Sequence, residues 1–123
     1  MSSMKYHRVY TLQNGDTRSE LLPYDLKISD FVKGTPSFPM ADMGAAKTLK
    51  VASIPSGWDG GWHPTPLKQW CITLSGSATI ETSDKTIIEL KAGVAVLLDD
   101  TFGKGHRTTV VGDDDWCGML VAV

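Results

Sequence analysis

The sequence predicts an all-β fold, an antiparallel sandwich or barrel, and three observations carry that prediction. Short β-branched segments recur from residue 69 onward, each is set off by a Gly, Ser or Asp turn, and no stretch holds a convincing 3.6-residue period. With 123 residues, 41% hydrophobic and 21% charged, the chain suits one domain that buries roughly two thirds of the surface its unfolded form exposes.

Residues 6–12 alternate as a strand does, Asn14-Gly15-Asp16 marks a turn, and residues 17–22 return as the partner of a hairpin. Residues 24–32 are the only weak helical candidate, because Leu26, Ile28, Phe31 and Val32 fit neither period well. Residues 35–40 read as loop, since Pro36 and Pro39 have no N–H to give a ladder. Residues 1–46 thus form an arm of strands and loop, expected to pack within one domain on a barrel of residues 47–123. Residues 47–54 are expected to form a half-buried strand, with Leu49 and Val51 on its apolar face and Thr48 and Lys50 on the other. Glycines and tryptophans fill 57–62, and strands follow at 69–75, 77–82, 85–90, 94–98, 106–111 and 116–123.

The formal charge is −2, with Lys and Arg dispersed. That leaves no banked positive face for a phosphate backbone, so nucleic acid is not an expected partner. No apolar run approaches the roughly 20 residues a membrane span requires. The first eight residues hold no apolar core, so the expectation is a soluble, cytoplasmic protein. Cys71 and Cys117, both in apolar strands and far apart in sequence, suit free thiols in a reducing compartment.

The chemistry concentrates in Trp62-His63-Pro64-Thr65-Pro66-Leu67-Lys68-Gln69 and in Gly103-Lys104-Gly105-His106. His63-x-Thr65, then Gln69, then Gly76, with Gly57 upstream, resembles the first cupin motif. Gly93, followed by Gly103-x-x-His106, resembles the second. The resemblance covers about residues 47–123 and implies a small single-domain cupin, a double-stranded β-helix or jelly-roll-like barrel with its pocket inside. The sequence departs from the family pattern at four positions: Thr65 stands for the second histidine, Gln69 for the glutamate, Thr101 for the proline of the second motif and Val110 for its late asparagine.

Those departures shape the functional expectation. His63, Gln69 and His106 could hold iron, zinc, nickel or manganese in a metal-dependent oxygenase, but the set brings no negative charge to a divalent cation. A metal-free reading is therefore favoured, with no cofactor. An apolar barrel disfavours charged imidazolium, so one histidine takes a proton from a small organic substrate and the other returns one. Gln69 then donates to the developing enolate oxygen. Isomerase, cyclase or lyase chemistry would follow, and a non-catalytic small-ligand binder is the remaining alternative. Period two gives His63 and Thr65 a shared face, and Gln69, Cys71 and Thr73 a shared face, and both faces are expected to line the cavity together, with Thr65, Cys71 and Thr73 as substrate-binding residues. Trp62 and Phe102 are expected at the cavity mouth, and Asp100 close to the substrate or, like Asp99, able to orient His106 through its second ring nitrogen. Cys71 would act as a nucleophile only if a histidine lowered its pKa. An open sheet edge and the N-terminal hairpin predict a homodimer.

Overall fold

The structure, a computed structural model, describes residues 4–123. Residues 1–3, with which the predicted arm begins, lie outside the described residues. Twelve strands run in order: β1 (Lys5–Thr11), β2 (Thr17–Pro23), β3 (Lys27–Ser29), β4 (Phe38–Met40), β5 (Thr48–Ile54), β6 (Asp59–His63), β7 (Gln69–Ser75), β8 (Ser77–Glu81), β9 (Ile87–Leu90), β10 (Ala95–Asp99), β11 (His106–Val111) and β12 (Trp116–Ala122). No helix among the described residues is long and apolar enough to cross a membrane.

Two sheets face each other. The larger has the order β2-β1-β10-β7-β12-β5 and the smaller β6-β11-β8-β9, while β3 and β4 form a separate two-stranded ribbon. The core lies where their inward faces meet, among Val9, Ile80, Leu90, Val96, Val110 and Trp116, each no more than 2% exposed. These positions obey the strand period of two, so one face of each strand reaches the core and the other leaves it.

The N-terminal hairpin is stitched into this framework. β1 and β2 pair antiparallel from Lys5↔Pro23 to Thr11↔Thr17, and β1 pairs parallel with β10 from His7↔Val96 to Tyr10↔Asp99. Val9 is fully buried, and Arg8 holds Asp99 through Nε at 3.2 Å and Nη2 at 2.9 Å. Thr17 Oγ1 also donates to the Gly105 carbonyl at 2.7 Å, which fixes the loop that leads into β11.

Three sequence expectations are corrected. Residues 24–32 hold no helix: Lys27–Ser29 is extended and pairs with Phe38–Met40, so its apolar residues sit on a ribbon. The same pairing makes residues 38–40 a strand, with Pro39 opposite Ile28. A two-stranded ribbon has a free edge on each side, where a missing N–H costs nothing. The third correction is the orientation of β5. Its partner β12 buries Trp116 and Ala122 and turns Leu120 to the cavity, and these lie opposite Ile54, Thr48 and Lys50. Ala52 and Ile54 therefore pack on the core, whereas Leu49 and Val51 are 67% and 71% exposed.

Candidate functional site

β6 ends at His63 and β11 begins at His106, and the two residues are cross-strand partners. Partners in a sheet share a face, so both imidazoles turn to the interior, with ring centroids 4.9 Å apart at 55°. Gly105 makes this approach possible. Its φ is +73°, and a Cβ there would collide with the backbone of His63 and Pro64, so only glycine allows β11 to start this close to the end of β6.

Each histidine is oriented through Nδ1. His63 Nδ1 lies 3.0 Å from the Gly61 carbonyl, which can only accept, so Nδ1 carries the hydrogen and Nε2 keeps its lone pair. His106 Nδ1 donates to Asp100 Oδ2 at 2.6 Å, and the two side chains are 3% and 0% exposed. The partners differ in charge: a neutral dipole faces His63, whereas a carboxylate faces His106. That carboxylate offsets the charge the ring gains when Nε2 takes a proton. Asp100 Oδ1 has no hydrogen-bond partner among the described residues. Burying a carboxylate with one oxygen unpaired works against stability, which marks Asp100 as a residue that positions His106.

The strand–loop–strand from β6 to β7 supplies the amide. Thr65 N–H donates to the Asp100 carbonyl at 3.0 Å, which anchors the loop to the same residue that orients His106. Thr65 Oγ1 donates to the Leu67 carbonyl at 2.6 Å and accepts from Gln69 Nε2 at 3.2 Å. One amide hydrogen of Gln69 is thereby fixed, and the other is left for a ligand.

These groups line a cavity of about 130 Å³ between the sheets. His63, Thr65, Gln69, His106 and Thr108 are its polar lining, and the rest is apolar, including Trp58, Cys71, Ile80, Leu98 and Trp116. Burial pushes the Cys71 thiol up to about 12, so it lines the wall as an uncharged group and is no nucleophile at neutral pH. Both cysteines are free thiols.

The structure thus brings His63, His106, Gln69, Thr65 and Cys71 together at the cavity. It places the other four predicted residues elsewhere. Thr73 is buried beyond the cavity, where its Oγ1 accepts from Trp116 Nε1 at 3.0 Å. Trp62 alternates with His63 along β6 and lies 46% exposed beside Ser83 and Lys104. Phe102 is 54% exposed in the loop before β11, and its carbonyl accepts from Thr11 Oγ1. Asp100 is behind His106, so it orients the ring and does not line the cavity.

Among the lining residues not predicted for the site, Thr108 and Trp58 lie nearest its chemistry. Thr108 was legible, since it shares the parity of His106 and Val110 on β11. Trp58 precedes β6, and its indole lies across Gly60, where a Cβ would strike it and would come within 3.1 Å of His63 Cε1. A glycine two residues from a tryptophan is the sequence signal for that fold-over. Asp59, between them, is committed to an ion pair with Arg107, which with the Gly61 N–H holds its carboxyl down at about 2.

The donor set bears on the metal reading. Two imidazole nitrogens and one amide converge here, and among the described residues no group of three or more His, Cys, Asp or Glu is arranged to hold a metal ion. Asp100 spends Oδ2 on His106 Nδ1. Two imidazoles and one amide fall short of the three imidazoles, or two with a carboxylate, that hold a catalytic zinc, so these residues do not fit a resident divalent metal.

No family model and no curated protein matches the sequence. Among solved structures, the cupin domain of Schizosaccharomyces pombe Cnp3 aligns over 98% of this chain and 83% of its own, with 14% identity and a TM-score of 0.50. A cupin domain from Bordetella pertussis aligns over 65% of this chain and 85% of its own, with 19% identity and a TM-score of 0.46. A conserved Streptococcus pyogenes protein of unknown function is 23% identical with a TM-score of 0.48, and the match covers 61% of each chain. At such identities the likeness concerns the fold. Two facing sheets, matched along nearly the whole chain by the Cnp3 domain, give this protein the fold of a cupin domain.

Proposed function

We propose that this cupin is a small-molecule enzyme that moves protons between His63 and His106 without a metal, in isomerase, cyclase or lyase chemistry beside a carbonyl. The observation that carries this reading is the asymmetry of the pair: Asp100 backs His106, while only a peptide carbonyl backs His63. In this reading His106 acts with a proton on Nε2, whose charge the Asp100 carboxylate at Nδ1 offsets, and His63 Nε2 is the base. His63 takes a proton from carbon, the electron pair moves to the carbonyl oxygen, and the free N–H of Gln69 donates to that oxygen. His106 then delivers its proton to the substrate. The rings, 4.9 Å apart, return the proton from His63 to His106 and close the cycle. Transfers of this kind are worth roughly 10² to 10⁴ in rate.

His63→Ala and His106→Ala are each expected to lower turnover at least about tenfold. Unchanged rates in both variants would refute the proposal, and a ligand that binds but never changes by mass spectrometry would make the protein a non-catalytic binder.

We also propose that the protein is cytoplasmic and works as a homodimer. β5 ends the larger sheet, so among the described residues one row of its backbone groups has no partner strand, and Leu49 and Val51 project from its outer face. A second copy fits this edge by two-fold symmetry. β5 against β5 runs antiparallel, and each apolar pair then meets its twin.

A further inference from the structure

Resting on the proton-transfer reading, we infer that the substrate of this cavity is an uncharged ring compound of about benzene size with a single carbonyl or hydroxyl at one edge. Three features of the cavity define that class. Its volume is about 130 Å³, close to the roughly 150 Å³ that holds one benzene in an engineered apolar cavity.

The second feature is charge. Among the described residues no Lys, Arg, Asp or Glu lines the wall. A carboxylate or phosphate entering here would shed its water without gaining a cationic partner, and a buried unpaired charge is strongly disfavoured. His106 does not supply that partner, because its ring is already paired through Nδ1 with the Asp100 carboxylate at 2.6 Å. The third feature is the segregation of polarity. His63 and His106 face each other and Gln69 is bonded to Thr65, Thr108 is the one other polar residue of the lining among the described residues, and Ile80, Leu90 and Leu98 are among the apolar residues of the wall. A polyhydroxylated ligand would leave most of its hydroxyls unpaired, whereas one oxygen suffices for the Gln69 amide and the His106 Nε2. The indoles of Trp58 and Trp116 both reach the lining, and flat rings pack well against them.

The test reads binding and needs no turnover. The chain has four tryptophans, and Trp58 and Trp116 line the cavity while Trp62 and Trp70 do not. In ¹⁵N-labelled protein, phenol and cyclohex-2-enone should shift the indole N–H signals of Trp58 and Trp116 saturably and leave those of Trp62 and Trp70 in place. Benzoate and glucose should bind at least tenfold more weakly. Cys71→Phe, which fills the cavity, should abolish the shifts if its circular dichroism remains native, and the wild-type tryptophan pattern decides the matter if that variant does not fold. Benzoate or glucose binding within tenfold of phenol, or shifts absent at Trp58 and Trp116, would overturn the inference. Because no chemistry is read, neutral-ring binding with unaltered turnover in the histidine variants would leave the ligand class standing and remove only the acid/base reading.

Discussion

Asp99 and Asp100 are the same residue type at adjacent positions, and the period of two sends them to opposite tasks. Asp99 lies on the outer side of β10 and ties that strand to Arg8 of β1, whereas Asp100 is fully buried behind His106. Asp100→Asn should keep the fold but weaken the hold on the imidazolium, lowering turnover at least about tenfold and moving its pH profile. Asp99→Asn should leave turnover alone and cost up to about 1 kcal/mol of stability, as part-exposed ion pairs do. Equal effects of the two substitutions on turnover would contradict this division, and the comparison needs only a rate assay and a urea melt. Cys71 gives a second residue-scale prediction. With burial pushing its thiol up to about 12, it should resist iodoacetamide at pH 8 in native protein and react once unfolded, while part-exposed Cys117 reacts in both states. Mass spectrometry of the digested protein reads the difference. The histidines, Gln69 and Thr65 were legible from motif spacing and strand parity. Trp62, expected at the cavity mouth, is turned away from it by that same parity, since it alternates with His63 along β6.

At the scale of elements, strands with regular alternation were legible to within a residue or two. β7, β8, β11 and β12 begin at the predicted residues. β5 shows what alternation alone leaves open. Leu49 and Val51 favour one face, Ala52 and Ile54 the other, and the register with β12 settles the choice in favour of the smaller pair. The larger side chains are left outside, which is the footprint expected of a second copy. Leu49→Lys together with Val51→Lys should yield a monomer by sedimentation where the wild type is a dimer, with an unchanged circular dichroism spectrum. A wild-type monomer at working concentration would end the dimer proposal. The β3–β4 ribbon was not legible, because Pro39 counts against a strand only where its missing N–H would have had a partner.

At the scale of the whole molecule, the two sheets act as a frame that holds one imidazole pair. His63 closes β6, His106 opens β11, Gly105 lets their backbones touch, and Thr17 from the N-terminal hairpin pins the Gly105 carbonyl. Gly105→Ala would add roughly 1–3 kcal/mol of left-handed backbone strain plus a collision with the His63 backbone. It should lower the melting temperature and turnover together, and a variant as stable and active as wild type would show that this contact does not hold the pair. The central claim, proton transfer by that pair, is tested most directly by exchange of carbon-bound hydrogen in D₂O, followed by NMR with cyclohex-2-enone. The wild type should speed deuterium incorporation beside the carbonyl, with His63→Ala and His106→Ala each slowing it at least about tenfold; exchange at the wild-type rate in both variants would contradict the account.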